Sequence, residues 1–155
     1  MRRTRRNRTR LQYGLAALNR ALDGITGTTA VHICFGYAAV IHERPSGYSF
    51  LSELRGCSCR QVSVETAQSH LDCSVLAQLD DKQIMVGCLD LSDMNVETPQ
   101  VVADRIRRAL PYVAKERVIL APDCGMKYLP REVAAGKLQA MVEAAKLLRA
   151  EYGAA

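Results

Sequence analysis

Ile84-Met85-Val86-Gly87-Cys88-Leu89-Asp90-Leu91 is apolar at six of its eight positions. A strand that faced water on one side would alternate apolar and polar residues. A near-continuous run instead predicts a strand covered on both faces, as in a parallel sheet flanked by helices. The sequence on either side supports this reading. Downstream, Thr98-Pro99 is a helix start, with Thr as N-cap and Pro at the first turn. Val102, Ile106, Ala109 and Val113 form that helix's apolar stripe. Val118 to Pro122 is a further strand. A final helix is expected from near Pro130 to Tyr152, with Leu138, Met141, Val142, Ala145 and Leu148 on its buried face.

Upstream, Leu11 to Leu22 predicts a helix that stops at Asp23-Gly24. Thr28 to Phe35 predicts the first strand and Gln61 to Glu65 the second, with helical sequence from about Gln68 to Leu79. Between the first two strands, residues 43–61 read as loop and short helix, with Pro45-Ser46-Gly47 as a turn. Strands alternating with helices predict an α/β fold with about four parallel strands and flanking helices. Four βα units make half of a (β/α)8 barrel, which typically needs ~250 residues. The chain has 155 residues, enough for one domain with its own core.

The net charge of +5 is unevenly spread. Six arginines fall within residues 1–10, and the remainder carries 15 Lys and Arg against 16 Asp and Glu. Residues 1–10 are therefore expected to be a disordered, solvated arm, and residues 11–155 a nearly neutral domain. A neutral body makes nucleic acid an unexpected partner. No apolar run has transmembrane length and no signal-peptide core is visible, so a cytoplasmic protein without membrane contact is expected. Six cysteines then read as thiols or metal ligands rather than a disulfide framework.

Four residues have the chemistry of metal ligands: His32 and Cys34 in Val31-His32-Ile33-Cys34-Phe35, Glu65 in Val62-Ser63-Val64-Glu65, and Cys124 in Ala121-Pro122-Asp123-Cys124-Gly125. Two-residue periodicity puts His32 and Cys34 on one face of the first strand. Glu65 and Cys124 lie at C-terminal strand ends, where α/β barrels carry their functional residues. One imidazole, two thiolates and one carboxylate suit tetrahedral zinc. No CxxC pair is present, which argues against a zinc finger or ribbon, and the scattered ligands point instead to a site assembled by the fold. Buried cysteines and a strand histidine also occur as plain core residues.

The segments Val-His-Ile-Cys-Phe, Ser-Val-Glu-Thr-Ala, Val96-Glu97-Thr98-Pro99 and Ala121-Pro122-Asp123-Cys124-Gly125-Met126-Lys127 resemble, in that order, the C-terminal catalytic domain of cobalamin-independent methionine synthases. The nearest likeness is to their shorter, single-barrel relatives, over about residues 14 to 150. The resemblance implies the C-terminal half of a TIM barrel. It implies zinc bound by His32, Cys34, Glu65 and Cys124, with homocysteine as methyl acceptor and a methylated folate as donor. Zinc deprotonates a bound thiol outright. Glu65, the most exchangeable ligand, is expected to yield its place to that thiol and so to act in catalysis.

This sequence departs from the family in two places. Ser92 stands where the long synthases carry a catalytic His after the third of these strands, and Asp90 or Asp93 is the candidate replacement. The family's residues for the amino-acid end of homocysteine and for the folate lie on the other half of the barrel. A homodimer or a complementing chain is therefore expected to supply that half, since open parallel edges invite pairing. Zinc-dependent alkyl transfer to another thiol such as coenzyme M is the nearest alternative. A non-catalytic zinc-binding fragment is a third.

The remaining reactive side chains read more simply. Cys57-Ser58-Cys59 is a CxC in a loop without evident metal partners nearby. Cys73 and Cys88 read as core or near-surface thiols, and His42 and His70 as isolated structural or surface residues. Lys127 faces either an anionic substrate or solvent. Arg105, Arg107 and Arg108 read as the exposed face of their helix.

Overall fold

The computed structural model describes residues 13–37, 40–41 and 47–153. The expected arginine arm and His42 lie outside these residues. Four parallel strands form one sheet in the order β1-β2-β3-β4: β1 (Ala30–Ile33), β2 (Gln61–Val64), β3 (Gln83–Leu89) and β4 (Val118–Pro122). Helix α1 covers residues 13–22 and ends at Gly24, whose φ of 77° suits a residue without a Cβ. Helix α2 spans Pro99–Arg107 and α3 spans Arg131–Tyr152. Among the described residues, no helix is long and apolar enough to cross a membrane.

Register explains the layering. Val31, Val62, Ile84 and Val118 align across the sheet, and two residues further on so do Ile33, Val64, Val86 and Leu120. These rows enter the core with Val102, Ala103 and Ile106 of α2 and Ala140, Ala144 and Leu148 of α3. The opposite face carries His32, Ser63, Met85 and Ile119 in one row. In the row before it, Gln61 donates to Gln83 Oε1 at 3.0 Å. Thr98 caps α2 as expected, its hydroxyl accepting from Val101 N. The expected stripe of Val102, Ile106, Ala109 and Val113 is fully buried.

Three expectations fail, each for a physical reason. Residues 68–79 do not form one helix. Asp123 takes the Gln68 amide at 2.7 Å, and His70 adopts a φ of 47°, which breaks helical propagation. A 3-10 helix then starts afresh at Cys73–Gln78, capped by the Asp72 side chain.

The buried face of α3 is also rotated from the expected stripe. Leu138 and Val142 are 41% and 51% exposed, while Lys137, Ala140, Ala144 and Leu148 face inward. The wholly buried Lys137 ammonium fixes this rotation. It donates to Asp90 O at 3.0 Å, Asn95 O at 2.7 Å and Glu97 Oε2 at 2.7 Å. The next residue back, Gly136, packs so closely on Val96 that a Cβ would stand 2.9 Å from Val96 Cγ2.

Finally, the arginine cluster of α2 is not a free solvated face. Arg105 bonds Glu97 Oε1 and Cys88 O, both at 2.8 Å. Arg107 pairs with Asp104 and Glu151, and Arg108 donates to Thr66 O at 3.1 Å.

Candidate metal centre

The four candidate ligands are placed by three strands: two by β1, one by β2 and one by β4. His32 stands on the open face of β1, where its Nδ1 meets Ser63 Oγ of β2 at 2.9 Å. That contact leaves Nε2 for a ligand. Cys34 follows β1, and its Sγ accepts from Gly36 N at 3.1 Å. Gly36 has a φ of 94°, so a tight turn closes beside the thiol. Glu65 follows β2 and is wholly buried. Its Oε1 accepts from Phe35 N at 2.8 Å, which ties the end of β2 to the end of β1.

Tyr48 braces the same junction: its hydroxyl accepts from Glu65 N at 2.8 Å and donates to Ile33 O at 3.2 Å. Burial raises the Tyr48 phenol well above its ordinary value, which keeps it a donor. Cys124 follows β4, two strands away from Glu65.

The ligand atoms of His32, Cys34, Glu65 and Cys124 all lie within 4.8 Å of one another. Cys34 Sγ and Cys124 Sγ are 3.2 Å apart. Metal–ligand bonds of about 2.0–2.3 Å would bring all four atoms onto one ion after a small closing of the cluster. The electrostatics favour a cation. Burial, and then the hydrogen bond with Cys124, push the Cys34 thiol up to about 12. A bound cation reverses that order and stabilises the thiolate. A cation there would compensate the buried Glu65 carboxylate in the same way. The donor set fits zinc, with borderline-soft sulfur and nitrogen beside one oxygen.

Sequence reasoning missed the residue that joins these strand ends. Asp123, between β4 and Cys124, is fully buried. Its Oδ1 accepts from Thr66 N and Ala67 N, both at 3.1 Å, and its Oδ2 from Gln68 N at 2.7 Å. These are the three amides that follow Glu65. Burial raises the Asp123 carboxyl above its ordinary value, and the three amides oppose that rise. The signal available was its place inside the Pro-Asp-Cys-Gly motif. Ser63 was missed because its role depends on strand register.

Other site residues stand apart. Asp90 and Asp93 are in the loop after β3, outside the four-residue cluster. Asp90 Oδ1 accepts from Ser92 N at 2.8 Å and Ser92 Oγ at 2.6 Å. Asp93 Oδ1 accepts from Asn95 N at 2.9 Å, and that backbone bond lowers its carboxyl despite slight desolvation. Lys127 Nζ lies 4.8 Å from the ring centroids of both Tyr37 and Tyr128, a double cation–π contact beside Cys124. Cys57, Cys59, Cys73 and Cys88 are buried free thiols outside the cluster.

Comparison with known proteins matches this arrangement. The sequence profile described as cobalamin-independent synthase, catalytic domain, covers residues 14–147. The chain is 29% identical over 146 residues to a methionine synthase of Sulfurisphaera tokodaii, spanning 94% of this chain and 40% of that protein. It is 31% identical over 148 residues to a methionine synthase of Saccharolobus solfataricus, spanning 91% and 40%. Among solved structures, a B12-independent methionine synthase from Shewanella sp. W3-18-1, in complex with selenomethionine, superposes with a TM-score of 0.79. Its sequence identity is 29%, over 90% of this chain and 44% of that one. The chain thus spans about 40% of the length of these curated relatives, and its four-stranded architecture is the expected C-terminal half of a (β/α)8 barrel.

Proposed function

This chain belongs to the family of cobalamin-independent synthase catalytic domains, and on that premise we propose that its four clustered donors form the zinc centre of a homocysteine methyltransferase half-barrel. The observation that carries the reading is the convergence of His32, Cys34, Glu65 and Cys124 from three strand ends. When bound, zinc supplies the Lewis acidity that turns a thiol into a thiolate at neutral pH.

The chain's own residues do the rest. Cys34 and Cys124 would hold the zinc through thiolates whose charge would keep an incoming sulfur nucleophilic. His32 is held by Ser63 and stays in place. Glu65 would be the ligand that yields its position to substrate. A carbon–sulfur bond then forms to the methyl group as the donor's nitrogen–carbon bond breaks, and the donor nitrogen takes up a proton. Asp90 or Asp93, on the loop after β3, is our candidate acid for that transfer.

Substrate contacts beyond sulfur are assigned to the other half of the barrel. Eight strands close a barrel, and this sheet has four. The test has two parts. Purified chain should hold one zinc, and Cys124→Ala should lose it; unchanged zinc in the variant would sink the ligand assignment. Methyl transfer from a methylfolate should appear with homocysteine once the second half is supplied. Turnover with coenzyme M in place of homocysteine would favour the alternative thiol.

A further inference from the structure

We propose that Gln68 is a positioning residue for Glu65: its side-chain amide receives the Glu65 carboxylate when a substrate thiol takes the carboxylate's place in the metal centre. The inference rests on the ligand exchange described above and names the group that makes it affordable. Glu65 is wholly buried. A carboxylate that leaves a cation inside a protein carries an uncompensated charge unless donors meet it. One donor is already present in Phe35 N, at 2.8 Å from Oε1.

The second is Gln68 Nε2, which lies 3.5 Å from Glu65 Oε2. That distance is long for a hydrogen bond. The amide is near enough to capture the carboxylate after a small movement, and too far to hold it firmly beforehand.

The orientation of Gln68 is determined by its neighbours. Its backbone nitrogen is anchored on Asp123 Oδ2 at 2.7 Å. With the Glu65 carboxylate on that side, only the nitrogen end of the amide can face it, since the oxygen end would set acceptor against acceptor. The oxygen end is turned away, and Gln68 Oε1 is the buried side-chain polar atom that lacks a hydrogen-bond partner among the described residues. The side chain is thus held by its nitrogen alone, beside the one candidate ligand expected to move. The residue also lines a small recess with Cys124, Tyr37 and Tyr128.

The experiment uses the full chain loaded with cobalt(II), whose thiolate charge-transfer band reports each added sulfur ligand. Homocysteine is titrated into the wild type and into Gln68→Leu, with Gln68→Met as the substitute if the leucine variant unfolds. We expect both proteins to bind cobalt and zinc within about threefold of each other. The variant should need at least tenfold more homocysteine to reach the same increase in the band. Wild-type thiol affinity in a metal-loaded variant would overturn the role, as would loss of metal from the variant, which would make Gln68 a support of the centre itself. Absence of any change in the wild type with homocysteine and with 2-mercaptoethanol, a thiol that needs no contact beyond sulfur, would instead remove the exchange of Glu65, and the inference with it.

Discussion

Gly87 and Asp123 lie in direct contact across β3 and β4. A Cβ built on Gly87 would stand 2.1 Å from Asp123 Oδ1 and 2.8 Å from Val64 O. No side chain fits there without displacing the carboxylate that binds the three amides after Glu65. Gly87→Ala should therefore destabilise the fold by about 3 kcal/mol, the upper range for overpacking. It should also weaken metal retention, because the carboxylate it displaces links Glu65 to Cys124. Denaturant unfolding and zinc content check the two effects separately.

Asp123→Ala tests the same link from the other side. It removes the acceptor from three amides, two of them in buried residues. A buried donor left without a partner costs about 1–3 kcal/mol. The variant should lose at least about 3 kcal/mol in chemical denaturation. Wild-type stability would mean that these amides find other partners.

Lys137 and Glu97 form a buried pair with side-chain exposures of 0% and 7%. Lys137→Met leaves Glu97 with Arg105 as its remaining cation, and breaking one side of a buried pair costs about 3–5 kcal/mol. Lys137→Met with Glu97→Gln should recover part of that loss, since both charges are gone. A double-mutant cycle of unfolding free energies measures the coupling.

The same pair sets a pH dependence. Burial alone would raise the Glu97 carboxyl, but hydrogen bonds from Lys137 and Arg105 outweigh it and hold the group below its ordinary 4.5. A depressed carboxylate contributes stability that is complete above the unfolded-state value and lost as pH falls through the folded value. Stability should therefore decline below about pH 4.5, and less steeply in Glu97→Gln. Melting temperatures between pH 3 and 7, read as ~1-unit steps, would show the difference.

The strands were legible because a buried parallel strand writes its own signature. Ile84 to Leu89 is apolar at nearly every position, and Val118 to Ala121 at all of them. The His32 and Cys34 placement followed from the two-residue period. The segment after Glu65 was not legible, because its amides bond to Asp123, more than fifty residues away. Local propensity contains no trace of that partner. The rotation of α3 was hidden for a similar reason. Apolar spacing favoured Leu138 and Val142, but a lysine is buried instead once three acceptors from the β3–α2 loop surround its ammonium. Hydrophobic period cannot anticipate a buried charge whose partners come from elsewhere in the chain.

The central claim is that His32, Cys34, Glu65 and Cys124 hold one zinc ion together. X-ray absorption of the zinc-loaded chain tests it most directly. The account predicts two sulfur scatterers at about 2.3 Å and two nitrogen or oxygen scatterers at about 2.0–2.2 Å, with one sulfur lost in Cys34→Ala. A first shell without sulfur, or one unchanged in that variant, would contradict it.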